Sequence, residues 1–401
     1  MRLPGPLRER EFALLFTGRT VSAIGSAMAP IALTFGVLDL TGSTADLGIV
    51  LAARQISVVV LLLFGGVWAD RLPRHVVMVA SNLVSGASQA TVAALLLSGR
   101  AQIWELTLLA VVNGSSSAFF FPASSGIVPQ TVPPDLLQQA NATLRLSLNG
   151  TTLFGAALGS VIVAASSPGW AIAIDAASYG IAAATLAAMH AVPPQRSGAT
   201  SILQELRAGW RDFWSRTWLW SIVIQFGIVN AAFVGTLNVL GPTVARRALG
   251  GALAWGALAV ATSIGDIASG FLMLNWRPRR ILLTATLAVF AFALPLIALA
   301  GPAPLAVIVV ASFAAGFCSE IFGVLWDTTY QQEIPRELLS RVSAYDALGS
   351  WALMPIGFAV AGPVAAAVGT RPTLIGAALL VIVPTALVLG VSDVRTLERR
   401  A

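Results

Sequence analysis

Lysine is missing altogether: all 24 basic positions among the 401 residues are arginine, a bias that points to a GC-rich coding sequence rather than to a mechanism. Cysteine occurs once, as Cys318, which excludes a disulfide framework and a thiolate metal cluster. Histidine occurs twice, as His75 and His190, both placed at expected helix ends. Neither has nucleophile–base or metal-ligand spacing around it, and no P-loop pattern appears, so an enzyme, a metal centre, a resident cofactor and an ATP-driven pump are all unsupported. Charge of either sign is scarce. Charged residues make up 10% of the chain, against roughly 25% in soluble domains. Hydrophobic residues make up 57%, and the mean hydropathy is +0.82. Too few charges remain to cover a soluble surface, so the composition is that of a polytopic membrane protein. No cleavable signal peptide is expected, because Met1–Glu11 is charged and the first apolar run is too long for a signal core.

What is present in abundance is long apolar runs. They lie near Phe12–Leu40, Ala45–Trp68, Val76–Ser98, Trp104–Val128, Ala140–Ala165, Trp170–Met189, Trp218–Pro242, Ala252–Leu274, Ile281–Ala300, Pro304–Trp326, Val342–Val368 and Thr373–Val391. About 20 residues cross a bilayer as a helix. Backbone in lipid must satisfy its own hydrogen bonds, and the runs do not alternate as barrel strands would, so an all-α protein of twelve spans is expected.

Arginine placement gives the orientation. With the N-terminus inside, seventeen arginines fall in cytoplasmic segments, while Arg100, Arg246, Arg247 and Arg371 fall outside and Arg19, Arg54 and Arg145 fall within spans. That asymmetry predicts both termini in the cytoplasm, and it assigns the net charge of +6 to the inner membrane face rather than to nucleic acid.

The longest break, His190–Thr217, divides six spans from six. Within it Leu203, Leu206, Trp210, Phe213 and Trp214 recur at helical spacing around Arg207 and Arg211, predicting an amphipathic helix over Ile202–Trp214 at the inner interface. The expected organisation is an N-terminal bundle over 1–189, a linker over 190–217 and a C-terminal bundle over 218–401. The halves also repeat. Val132–Ala142 aligns with Ile334–Ala344 at a shift of 202, which carries Gly155 onto Gly357. The turn Asp70–His75 aligns with Asn275–Arg280 at a shift of 205. Parallel repeats of six spans are one of the known ways of building a transporter.

Two long apolar runs meet at the short polar turn Gly65–His75, whose pattern is Gly66-x-x-x-Asp70-Arg71-x-x-Arg74. It resembles the loop 2–3 signature of the major facilitator superfamily, with Pro73 where glycine is usual and His75 where a further basic residue is usual. The resemblance covers nearly the whole chain. It is closest to the drug-exporter branch with macrolide-efflux and enterobactin-exporter types, particularly actinobacterial members. Gly18–Gly25, Phe121-Pro122-Ala123, Val132–Asn141 and Ile174-Asp175-Ala176 also carry it. Gly155–Gly159 looks like the exporter motif of span 5, with Ala156 in place of proline. The family implies alternating access, two bundles rocking about a central cavity, with Gly66, Asp70, Arg71 and Arg74 acting as a gating element.

Charges inside spans cost about 2.5–3.5 kcal/mol at the bilayer centre and should face protein or water. Arg19, Arg145 and Asp346 sit near the cytoplasmic ends of their runs and Asp175 near the outer end of its own, where each could reach an interface. Arg54, Asp266 and Glu320 are deeper. Thr262, Asp266 and Ser269 share one face of span 8, and Asn141, Arg145, Asn149 and Thr152 form a stripe on span 5. Asn113 and Asn230 add polar groups to spans 4 and 7. The candidate residues for proton coupling or substrate contact are therefore Glu320, Asp266, Arg54, Arg145, Asn113, Asn149, Asn230 and Asp175.

The expected function is proton-coupled efflux of a hydrophobic or amphipathic small molecule such as an antibiotic, secondary metabolite or siderophore. The expected setting is the inner membrane, and the expected working form is a monomer. A carboxylate in a low-dielectric cavity holds its proton more tightly than in water and can trade it for substrate. Import of a small metabolite is the alternative on the same fold. A sensor or membrane enzyme is a further one, disfavoured by the missing soluble domain and catalytic spacing.

Overall fold

The computed structural model describes residues 5–190, 210–301, 303–335 and 338–398, excepting the side chains of 63–71, 125, 138, 339–341 and 344. Among the described residues twelve helices are long and apolar enough to cross a membrane. The first six are α1 (Arg10–Thr41), α2 (Thr44–Arg71), α3 (Arg74–Leu97), α4 (Ile103–Gly126), α5 (Leu137–Ala165) and α6 (Pro168–Ala187). The second six are α7 (Thr217–Leu249), α8 (Ala252–Met273), α9 (Ile281–Ala300), α10 (Leu305–Glu333), α11 (Tyr345–Val368) and α12 (Thr370–Val388). Among the described residues no β-strand occurs; the one sheet-like pairing is a single bridge between Arg280 and Glu398.

Local chemistry sets the ends. Gly42 takes a φ of 67° and its N–H closes onto the Leu38 carbonyl, so α1 stops on a left-handed glycine. A capping box opens α4, the Glu105 carboxylate accepting from the Gln102 N–H at 3.0 Å. Pro168 starts α6, where its missing N–H costs nothing.

Three spans differ from the expected runs for physical reasons. Instead of ending at Pro242, α7 continues to Leu249, with π-helical turns at Ala231–Gly235 and Ala245–Leu249 that let it carry the proline inside. On α10 the helix runs on from Trp326 to Glu333, about two turns further, because nothing in Asp327–Glu333 breaks a helix. On α11 the apolar run is interrupted between Leu339–Trp351 and Met354–Val368, just ahead of Pro355, a residue that disfavours helical backbone before it.

The chain divides into two compact units, residues 1–197 with 250–256, and residues 198–249 with 257–401. Within the N-terminal unit α2 packs on α4, α3 on α6, and α1 on both α5 and α6. Phe12, Leu15, Met78, Leu144 and Leu186 close one core of this unit, and Met28, Leu38, Leu47, Leu106 and Ile172 close a second. Within the C-terminal unit α9 packs on α10 and α12, and α7 packs on α11 and α12. Most of the amphipathic helix expected over Ile202–Trp214 falls on residues outside those described. Its described end is helical, with Trp210 and Trp214 half exposed and the Trp210 ring 5.3 Å from that of Tyr345.

Candidate functional site

The N-terminal unit holds a cluster of polar side chains built on close helix approaches. Gly114 on α4 lies against the Arg54 carbonyl on α2, where any Cβ would collide with backbone. That contact sets the neighbouring Asn113 beside Arg54, whose Nε donates to Asn113 Oδ1 at 3.1 Å. Gly25 on α1 does the same against α6, since a Cβ there would stand 2.8 Å from the Asp175 Cα. Asp175 was expected to reach the outer interface. Instead it is 0% exposed, because α1, α3 and α6 close over it. Its Oδ2 accepts from Gln89 Nε2 at 2.6 Å and its Oδ1 from the Ser26 hydroxyl at 3.5 Å. Ser26 also reaches the Tyr179 hydroxyl at 2.9 Å.

Two cavities flank this cluster and share Ser26, Arg54 and Tyr179. One, of about 110 Å³, takes in Asp175, Gln89 and Asn113. The other, of about 220 Å³, takes in Arg19, Asn82 and Phe120. Sequence reading passed over Gln89, Asn82 and Tyr179. The available signals were the seven-residue spacing of Asn82 and Gln89, which puts both on one face of α3, and Tyr179 one turn beyond Asp175 on α6.

The C-terminal unit holds carboxylates instead. Gly316 on α10 approaches the Thr262 carbonyl on α8, and a Cβ on Gly265 would stand 2.7 Å from the Phe317 nitrogen. Through this seam Asp266 and Glu320 come within electrostatic reach of each other, both partly buried. Ser269, one turn along from Asp266, is fully buried. Asp346 was expected to reach the interface. It accepts instead from Trp326 Nε1 at 3.0 Å and from Ser350 at 3.2 Å, inside its own unit. Asn230 donates to the Ser350 carbonyl at 3.0 Å, so it ties α7 to α11.

The other candidates divide. Arg145 and Asn149 lie on an exposed face of α5 together with Asn141 and Thr152. A polar stripe on a span must meet water or protein rather than lipid tails. The Gly66, Asp70 and Arg71 side chains lie outside the described residues. Arg74 of the same turn donates to the Gly126 carbonyl at the end of α4, and a Cβ on Gly126 would occupy the guanidinium's place.

Comparison with known proteins places this geometry in context. Residues 13–357 match the family model described as Major Facilitator Superfamily. The enterobactin exporter EntS of Citrobacter koseri is 26% identical over 368 residues, spanning 89% of this chain and 87% of the relative. EntS of Escherichia coli is 25% identical over 385 residues, spanning 92% and 91%. Among solved structures, the nucleoside transporter NupG superposes with a TM-score of 0.75 at 13% identity, covering 94% of this chain and 98% of that one. A POT family transporter in complex with 5-aminolevulinic acid superposes with a TM-score of 0.76 at 10% identity, covering 97% of each chain. At such identities these structures speak for the fold alone.

Proposed function

The chain belongs to the major facilitator superfamily of membrane transporters, and from that premise we propose that it expels a hydrophobic or amphipathic small molecule in exchange for protons. The relatives named as enterobactin exporters support export and are the reason to test siderophores and similar secondary metabolites first. The observation that carries the proton reading is the Asp266–Glu320 pair. Two carboxylates across one helix seam repel when both are ionised, and the repulsion grows as the medium dries. Taking up one proton relieves it, and losing that proton to the other side of the membrane completes the exchange. Glu320 is the proposed proton site, with Asp266 as its partner.

In this reading the Gly66–Asp70–Arg71–Arg74 turn is a gate, and Asp70→Asn shifts the population of conformers without preventing insertion. Arg145 and Asn149 face the substrate path. Both termini lie in the cytoplasm, as the arginine asymmetry supports, and the protein works as a monomer. Purified protein in proteoliposomes with an imposed pH gradient tests the proposal. A panel of anionic, neutral and cationic fluorescent amphiphiles should include members that accumulate only while the gradient lasts. Accumulation that is indifferent to the gradient would refute proton coupling. Uptake toward the cytoplasmic side would refute export.

A further inference from the structure

The larger of the two cavities that flank the polar cluster of the N-terminal unit has more donors than its own walls can use. Arg54 spends Nε on Asn113, and its two Nη groups find no acceptor among the described residues. Asn82 is 2% exposed, lines the cavity, and its Nδ2 has no partner among the described residues. A buried donor left unsatisfied costs about 1–3 kcal/mol, so an acceptor from outside gains by arriving. Arg19 is held by one long contact, 3.5 Å, to the Ser124 carbonyl.

Several of the wall hydroxyls are already committed within the protein. Ser22, Ser117 and Ser124 each donate to a backbone carbonyl of their own helix. Among the described residues no carboxylate lines this cavity. The acid nearest to Arg54, Asp175, belongs to the smaller cavity and is engaged by Gln89 and Ser26. Two guanidiniums against a single carboxyl group leave a net positive charge whichever form that carboxyl takes. Phe120 and the Tyr179 ring supply apolar wall. The volume of about 220 Å³ exceeds the roughly 150 Å³ that suffices for benzene in an engineered cavity.

We propose that this cavity is a binding subsite for the anionic oxygen of an aromatic molecule, a phenolate or an aryl carboxylate. Arg54 and Arg19 supply the counter-charge, Asn82 Nδ2 supplies the neutral donor, and the ring lies against Phe120. A guanidinium can grip such an oxygen pair with two parallel N–H donors, whereas a neutral amide brings one carbonyl oxygen without the counter-charge and a cation brings neither. The inference rests on the reading of the chain as a carrier of small amphipathic molecules and names a class for it.

The test uses the purified full chain in lipid nanodiscs with salicylate as probe and salicylamide as its uncharged analogue. Equilibrium binding should be saturable for salicylate and at least tenfold weaker for salicylamide. Arg54→Gln should cost about tenfold or more in salicylate affinity, and Arg54→Lys, which keeps the charge but loses the fork, should cost less. Asn82→Leu should weaken salicylate severalfold with both arginines intact, so the subsite stays testable should Arg54→Gln fold poorly; each variant is compared only at unchanged melting temperature. Equal binding of the two probes, absent salicylate binding, or wild-type affinity in Arg54→Gln and Asn82→Leu would overturn the subsite. Gradient-driven flux of a neutral amphiphile alongside any of those results leaves the carrier reading standing. Salicylate binding without flux of any probe removes the carrier reading and keeps the subsite.

Discussion

In the N-terminal unit Gly114 meets the Arg54 carbonyl, and in the C-terminal unit Gly316 meets the Thr262 carbonyl; each glycine sits 202 residues from its counterpart, each carbonyl 208. Gly155 stands 2.7 Å (measured to a built Cβ) from the Ile24 carbonyl, and Gly357 lies against that of Ala231, at shifts of 202 and 207. A third pair keeps its place and changes its chemistry. Thr20 and Ser147 share a 2.7 Å hydroxyl contact, while their counterparts Gly227 and Gly349 meet through backbone. The charges inside the spans do not repeat. Arg54 answers to Thr262 and Asn113 to Ala315, while Asp266 and Glu320 answer to Val58 and Ala118. Helix seams are thus duplicated between the units, whereas the groups that could carry protons or substrate are particular to one unit. Cations dominate the first unit's interior and carboxylates the second's.

The sharpest way to break that contrast is to neutralise the carboxylate pair. Linked sites typically couple by about 1–3 kcal/mol, or roughly 5–150-fold. Glu320→Gln should therefore collapse pH-driven accumulation in proteoliposomes by a factor in that range while binding of substrate persists. Asp266→Asn should lose less. If Glu320→Gln concentrates substrate with wild-type pH dependence, the carboxylates of the second unit are fixtures of its packing and the contrast has no functional content.

The seams come next. Gly114→Val and Gly316→Val each put side-chain atoms into a neighbouring helix's backbone, and overpacking of this kind costs about 1–3 kcal/mol. Gly150→Val and Gly323→Val, where nothing stands within 4 Å of a built Cβ, serve as controls. Thermal unfolding of the detergent-purified variants should show matched losses at Gly114 and Gly316 and smaller ones at the controls. A loss at one site alone would mean that the repeat is one of sequence and not of load.

The fold was plain in the sequence because lipid leaves the backbone few choices: run length and the absence of alternation suffice to give twelve helices. The shift of 202 read from a polar loop also located the glycine pairs, since a helix seam tolerates only small residues. The site was less legible. Asp175 looked like an interfacial residue because its distance along α6 says nothing about which helices close over it. Gln89 and Asn82 looked like ordinary polar residues until α3 placed them beside Asp175 and Arg54. The pairing of a buried charge depends on helix rotation, and a period of 3.6 residues fixes a face without saying what that face meets.

The smallest expected effect separates the two ways of making one seam. Thr20–Ser147 is a side-chain hydrogen bond between α1 and α5, and such bonds within membranes average about 0.6 kcal/mol, because the separated helices also find partners. Ser147→Ala should thus lower stability by about that amount, and Thr20→Ala combined with it should add almost nothing, since the bond is already gone. The counterpart position behaves differently: a Cβ on Gly349 would overlap the Val223 side chain, and one on Gly227 would stand 2.7 Å from the Gly349 carbonyl. Installing the first unit's residues there, Gly227→Thr with Gly349→Ser, should cost clearly more than Ser147→Ala, because no space exists for the hydroxyls to meet. Measured as a double-mutant cycle by thermal unfolding, a coupling near zero for Thr20 and Ser147, or a tolerated Gly227→Thr/Gly349→Ser pair, would show that the two seams are interchangeable and that the difference between the units is confined to their charges.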